Sequence, residues 1–289
     1  MKLGALEAGG TKMVCAIGNE NGQIYKKETF PTRTPAETMP ELISFFRKEK
    51  IDALGIACFG PVDLNTSSKT YGHITTTPKI AWQNYDIVGA FKDALNVPIG
   101  FDTDVNGSAL GEYTYGIGRG LHSLVYITIG TGVGIGVIAD GHLLHGMMHP
   151  EGGHALLIRH PEDKYEGNCP FHDSCVEGLA AGPSVEKRWG TKTINLDDNH
   201  RAWEIEAYYI AQAAYTYCVT LSPQRIILGG GIMHKECLLP LIRKYFKEIN
   251  NGYIKTKETD DIDNYIVLQS LDDEQGILGA IELGRKALL

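Results

Sequence analysis

Short apolar runs alternate with glycine turns along this chain, and the alternation occurs twice in the same order. Lys2 to Leu6 and Met13 to Ile17 flank a Gly9-Gly10 turn. Asn21-Gly22 is a hairpin signal, so Gln23 to Phe30 is predicted to return as a third strand. Thr34-Pro35-Ala36-Glu37 reads as a capping box with proline at the first helical position. Met39, Leu42, Ile43 and Phe46 then share one helical face, which predicts a helix packed on the sheet. Ile51 to Cys58 and Val97 to Phe101 read as buried strands, ending at Phe59-Gly60-Pro61 and at Asp102-Thr103-Asp104.

The second half repeats the plan. Leu124 to Thr128 leads into a glycine turn, and Gly134 to Ile138 leads into Asp140-Gly141. A long helix is predicted from about Trp203 to Thr220, then a strand from Arg225 to Leu228 running into Gly229-Gly230-Gly231 and a helix. A last strand near Tyr265 to Gln269 precedes a C-terminal helix from about Gln275. This repetition indicates an internal duplication. The expected fold is α/β with two lobes, residues 1–118 and 119–289, each a mixed sheet faced by helices. The final helix, about 275–289, is expected to pack back on the N-terminal lobe, with ligands in the crevice between lobes.

Composition narrows the function. With 289 residues, 43% hydrophobic and 21% charged, the chain suits one large or two medium globular domains. A formal net charge of −8 with no basic stripe argues against nucleic-acid or membrane-surface partners. The longest uncharged apolar run, Leu124 to Ala139, is short for a membrane span, and no leader-like segment opens the sequence. Four of the six cysteines stand alone in apolar segments, the usage of a cytoplasmic protein.

The other two belong to Cys169-x₂-His172-x₂-Cys175, and His154 is the nearest fourth donor; together they satisfy a tetrahedral zinc site of structural type. The turns Gly9-Gly10-Thr11-Lys12 and Gly130-Thr131-Gly132 offer backbone amides to an anion. Their matched positions in the two halves suit the phosphates of a nucleotide, with Mg²⁺ bridging phosphate oxygens. Gly229-Gly230-Gly231 and Gly182-Pro183 are small enough to lie against an adenosine. Phosphoryl transfer to a sugar hydroxyl needs a carboxylate to take the hydroxyl proton. Asp104 and Asp102 are nearly even for that role on local chemistry, and Asp104 also suits the N-cap of the following helix. Glu151, His154 and Glu177 are candidate ligands of sugar hydroxyls.

Glu7-Ala8-Gly9-Gly10-Thr11-Lys12, Asp104-Val105-Asn106 with Gly111-Glu112, Gly130-x-Gly132-x-Gly134, Glu151-x₂-His154 and the Cys-His-Cys run before Glu177 occur in order. In this combination the whole chain resembles the ROK (repressor, ORF, kinase) family of sugar kinases. The Cys-His-Cys spacing, Tyr71-Gly72-His73-Ile74-Thr75 and Thr77-Pro78-Lys79 are most similar to its zinc-containing bacterial fructokinases. The resemblance implies a duplicated actin-like, ribonuclease-H-like fold, with Asp104 as the base. It implies that Glu151, His154 and Glu177 hold the sugar, with Gly60, Pro61 and Thr103 beside it, and that both glycine turns bind the ATP phosphates. It further implies fructose as acceptor, fructose 6-phosphate and ADP as products, Mg²⁺, structural Zn²⁺ and a homodimer. Glucokinase relatives usually carry Asp where this chain has Glu7, and Asn where it has Thr103. The alternatives are a kinase of mannose, glucose or N-acetylmannosamine, or a catalytically silent sugar sensor.

Overall fold

The computed structural model describes residues 1–289. In chain order the first strands are β1 (Leu3–Ala8), β2 (Lys12–Gly18), β3 (Ile24–Pro31), β4 (Ala53–Cys58), β5 (His73–Ile74), β6 (Tyr85–Asp86) and β7 (Ile99–Thr103). They are followed by β8 (Leu124–Ile129), β9 (Val133–Ala139), β10 (His142–Leu143), β11 (Ile226–Gly229) and β12 (Ile266–Leu268). The helices are α1 (Pro35–Glu49), α2 (Ile87–Leu95), α3 (Asp104–Thr114), α4 (Val176–Ala180) and α5 (Gly182–Trp189). After them come α6 (Ala202–Leu221), α7 (Leu238–Asn250), α8 (Lys257–Asp260), α9 (Ile262–Tyr265) and α10 (Gln275–Lys286). None is long and apolar enough to cross a membrane. Two compact units form: Met1–Gly120 with Leu143–His149 and Ser270–Leu289, and Leu121–His142 with Pro150–Gln269.

The first unit is built on a sheet of order β3-β2-β1-β4-β7. β1, β2 and β3 form an antiparallel meander, and β4 and β7 add in parallel beyond β1. Side-chain alternation explains what covers it. Leu54, Ile56 and Cys58 of β4 enter one apolar cluster with Phe45, Phe46, Phe91 and Trp82. The intervening residues Ala53, Gly55 and Ala57 are small, and α10 lies against this strand. A Cβ on Gly55 would strike the Ala280 carbonyl of α10, and one on Gly100 would strike that of Leu283. A Cβ on Gly279 would likewise strike the Gly107 carbonyl of α3. Bare backbone is what lets α10 reach β4, β7 and α3. Glu112, fully buried, holds the entry to this segment: it accepts the Ser270 amide at 2.6 Å, the Ser270 hydroxyl at 2.7 Å and the Ile117 amide at 3.1 Å.

The second unit repeats the order as β10-β9-β8-β11-β12, with β8 and β9 antiparallel and β11 parallel to both β8 and β12. The long helix α6 buries Trp203, Ile205, Tyr209, Ile210 and Tyr217 and packs on α7 and α4.

Candidate active site

β1, β4 and β7 run parallel, so the loops after Ala8, Cys58 and Thr103 leave one edge of the first sheet. From β1 to β7 that edge spans roughly 10 Å, two strand spacings. At the β7 end, Thr103 and not Asp104 is the N-cap of α3, correcting the sequence expectation: its Oγ1 accepts the Asn106 amide at 3.1 Å. Thr103 reaches back farther because its backbone is still extended, whereas Asp104 is already helical. Asp104 therefore lies in the first helical turn.

The two rival aspartates have different surroundings. Asp102 is 2% exposed; its Oδ1 accepts Asn106 Nδ2 at 2.7 Å and the Thr103 amide at 2.8 Å, while Oδ2 lies 2.8 Å from His145 Nε2. Its oxygens are committed. The Asp104 carboxylate is half-buried and held by backbone alone, with the Val105 amide at 2.8 Å. Burial pushes it up to about 6, against the pull of the amides of Val105 and of Asp104 itself. A carboxyl poised there and free of side-chain partners suits a general base.

The first glycine turn stands at the β1 end. Gly9 donates to the Lys12 carbonyl at 3.0 Å, and a Cβ on Gly9 would lie 2.7 Å from that same oxygen. Thr32 fastens the turn, its hydroxyl donating to the Gly9 carbonyl at 2.7 Å and its amide to the Thr11 carbonyl at 3.0 Å. Gly10 is partly covered, and Thr11 and Lys12 are exposed. Just before the turn, Glu7 is pushed up to about 7, first by burial and then by the charge of Asp104, with Lys12 and Lys27 pulling the other way. At the β4 end the Gly60–Pro61 bond is cis, and the Val62 amide donates to His149 Nε2 at 3.2 Å. His145 and His149 thus fasten the segment Leu143–His149 to this unit. Nothing local in the sequence marks them, because their partners, Asp102 and Val62, lie far back in the chain.

In the second unit three glycine segments meet. The Gly182 amide donates to the Gly130 carbonyl at 2.8 Å, and a Cβ on Gly130 would come 3.9 Å from the Gly231 amide. The turn Gly130-Thr131-Gly132, the Gly182-Pro183 start of α5 and Gly229-Gly230-Gly231 are therefore neighbours. Gly230 has φ +89°, open to glycine, and a Cβ there would strike the Ile129 backbone. Gly229 has a packing reason, since a Cβ would strike the Tyr126 hydroxyl and Gln269. A 3₁₀ turn, Gly231–His234, follows the glycines, and the helix expected directly after them begins only at Leu238.

Glu177, in the first turn of α4, is bonded to the second glycine turn: its Oε2 accepts the Val133 amide at 3.1 Å. A Cβ on Gly132 would come 2.6 Å from that oxygen. Glu151 is exposed and leads into the 3₁₀ turn Gly152–His154, whose Gly152 carbonyl accepts the Tyr217 hydroxyl at 2.7 Å.

The donor atoms of His154, Cys169, His172 and Cys175 lie within 4.8 Å of one another. Cys169 Sγ is 3.8 Å from His154 Nδ1 and 3.7 Å from His172 Nδ1, and Cys175 Sγ is 3.7 Å from His154 Nδ1. A tetrahedron with Zn–S near 2.3 Å and Zn–N near 2.0 Å has S···N edges of about 3.5 Å. The donor set fits zinc in chemistry and in spacing. Burial and then the Cys169 thiol push the Cys175 thiol up to about 11, against the pull of the Gly178 amide, so without a cation Cys175 stays a neutral thiol. Cys175 is also the N-cap of α4, accepting the Gly178 amide at 3.3 Å. One residue thus belongs to the metal set and starts the helix that carries Glu177. His154 turns Nδ1 to the thiols, which leaves Nε2 for another partner.

A family model, that of the ROK family, matches residues 3–287. The chain belongs to the ROK family. It is 46% identical to a fructokinase of Pediococcus pentosaceus over 290 residues, covering 100% of this chain and 99% of that one. It is 45% identical to a fructokinase of Streptococcus mutans, over 98% of this chain and 97% of the relative. Among solved structures, a ROK hexokinase of Thermus thermophilus superposes with a TM-score of 0.75 at 23% identity, covering 100% and 99% of the two chains. A ROK glucokinase of Streptomyces griseus, in complex with glucose and AMPPNP, does so with 0.75 at 21% identity, over 99% and 100%. These likenesses show the actin-like fold expected of ROK kinases, and the two sheets of matching order agree with the duplication read from the sequence.

Proposed function

We propose that this ROK protein is an ATP-dependent hexose kinase that converts D-fructose to fructose 6-phosphate, with Asp104 as general base. One observation carries the chemistry: Asp104 is held by backbone amides alone, at the sheet edge it shares with the first glycine turn. The choice of fructose is supported by full-length relatives that are fructokinases, at 45–46% identity.

In this reading a fructose hydroxyl oxygen attacks the γ-phosphorus of ATP. The bond from that phosphorus to the oxygen bridging to the β-phosphate breaks, and ADP leaves with the electron pair. The hydroxyl proton passes to Asp104. By the family resemblance, Gly9, Gly10, Thr11 and Lys12 and the turn Gly130, Thr131 and Gly132 are the phosphate ligands, while Gly182, Pro183 and Gly229 to Gly231 take the adenosine. Mg²⁺ bound with ATP would neutralise charge on the phosphate oxygens, and Glu7, just before the first glycine turn, would be a carboxylate placed to hold it. Glu151, His154 through Nε2, and Glu177 bind the sugar hydroxyls. Gly60, Pro61 and Thr103 line the sugar; the Thr103 hydroxyl accepts the Asn106 amide and keeps its own proton to donate. His154, Cys169, His172 and Cys175 would hold a structural Zn²⁺, which would fix His154 itself and the start of the helix that carries Glu177. A homodimer in the cytoplasm completes the reading, on family resemblance and cysteine usage.

The test is a coupled assay of ADP release with Mg²⁺-ATP over fructose, mannose, glucose and N-acetylmannosamine. A lead in kcat/KM for fructose is expected. Turnover confined to another hexose would overturn the substrate, and sugar binding without turnover would make the protein a sensor.

A further inference from the structure

We propose that Lys79 is a ligand of the phosphoryl group that ATP donates, a role resting on the kinase reading above. Three features of the first unit point to it.

The root of Lys79 is rigid. Its amide donates to Thr77 Oγ1 at 3.3 Å, and Thr77 is 1% exposed. Its carbonyl accepts the Trp82 amide at 2.8 Å, and Trp82 is itself buried, with Nε1 donating to the Arg33 carbonyl at 2.7 Å. Gln83 adds a bond from Nε2 to the Thr77 carbonyl at 2.9 Å.

The side chain extends over the first glycine turn. Its Cε lies 3.0 Å and its Nζ 4.0 Å from where a Cβ on Gly10 would stand. Gly10 thus leaves room for the lysine. Lys12 belongs to the turn itself, so Lys79 brings a second ammonium from another part of the chain.

The ammonium has no counter-charge. Lys2, Lys26, Lys27 and Lys235 all pair with carboxylates, whereas Lys79 pairs with none. The nearby Glu37 is committed to the capping box, accepting the Thr34 amide at 3.1 Å. A partly buried lysine whose ammonium is unpaired beside the amides of a glycine turn is complementary to a phosphate dianion. The turn shares its sheet edge with Asp104, so the phosphate bound on this side is the one that moves to the sugar. The competing account is packing, in which the methylene stem covers Gly10 and the ammonium is merely solvated.

Calorimetric titration of the full-length protein with Mg²⁺-AMPPNP and with Mg²⁺-ADP, without sugar, separates these accounts. Lys79→Ala is expected to lose about tenfold or more in AMPPNP affinity, the scale of one charge-assisted contact, and to keep ADP affinity within about twofold. Lys79→Arg should recover most of the AMPPNP affinity. Unchanged AMPPNP binding in Lys79→Ala would overturn the role, as would equal losses for both nucleotides, which mean a deformed turn. Because no acceptor is present, an error in the choice of fructose does not touch the result. A wild-type protein that binds neither nucleotide overturns the kinase reading itself.

Discussion

Asp104→Asn and Asp102→Asn form a matched pair that tests the assignment of the base. In Asp104→Asn the substituted carboxamide can still accept the Val105 amide through its remaining oxygen, so the start of α3 should be undisturbed. What disappears is the proton acceptor, worth about 10²- to 10⁴-fold, or roughly 3–5 kcal/mol of barrier. Asp104→Asn should therefore lose kcat by that factor while its unfolding midpoint and sugar affinity stay near wild type. Asp102→Asn removes a buried charge that serves Asn106, Thr103 and His145. Its amide nitrogen also replaces an oxygen facing either the histidine or the two other donors. Weakening charge-assisted bonds of about 1.5–3 kcal/mol each predicts a stability loss of about 2–4 kcal/mol. The assays are steady-state kinetics with fructose and urea unfolding on the same preparations. Near-normal turnover in Asp104→Asn would refute the reasoning, as would a large kcat loss without destabilisation in Asp102→Asn. The pH profile of wild type supplies the sign. The base acts as a carboxylate, so kcat/KM for fructose should rise with pH through about 6 and fall tenfold per unit below it.

Glu112→Gln should cost about 2–4 kcal/mol in urea unfolding, because three donors lose a buried carboxylate acceptor; an unchanged midpoint would dismiss its part in fastening Ser270. Metal analysis should find one zinc per chain, and stripping it should raise the KM for fructose and lower the melting temperature by releasing α4 and Glu177. Full activity in a protein verified to be metal-free would remove the structural role of zinc.

Local features were legible because their causes are local. The Thr34 capping box is formed by its own four residues, with Glu37 accepting the Thr34 amide. The Asn21-Gly22 hairpin and the buried strand ending at Cys58 likewise follow from neighbours in sequence. The four donors of the metal set lie within one short stretch, so their spacing already signalled a site. The Asp104 cap was misjudged for a similarly small reason. Two adjacent residues both carry capping side chains, and only the backbone angle at Thr103 selects between them. Phe45 was missed in α1 because the apolar face is wider than the stripe Met39, Leu42, Ile43, Phe46 implies.

The sequence by itself determined the duplicated order of strands, the two glycine turns, the donor set and a short choice of carboxylates. The glycine turns and the Cys-His-Cys run each depend on residues within a few positions of one another, where chain geometry leaves few arrangements, and the duplication shows as the same order of such local signals in both halves. Tertiary structure alone decided how those carboxylates differ. Asp102 loses its freedom to Asn106 and His145, Glu112 is consumed by Ser270, and Glu177 is tied to the Val133 amide. Which backbone the final helix would meet, the bare one of β4, was likewise decided only there, as was the reach of Lys79 over Gly10. A side chain's chemistry is fixed by its type, but its availability depends on which donors and charges the fold brings to it from distant parts of the chain.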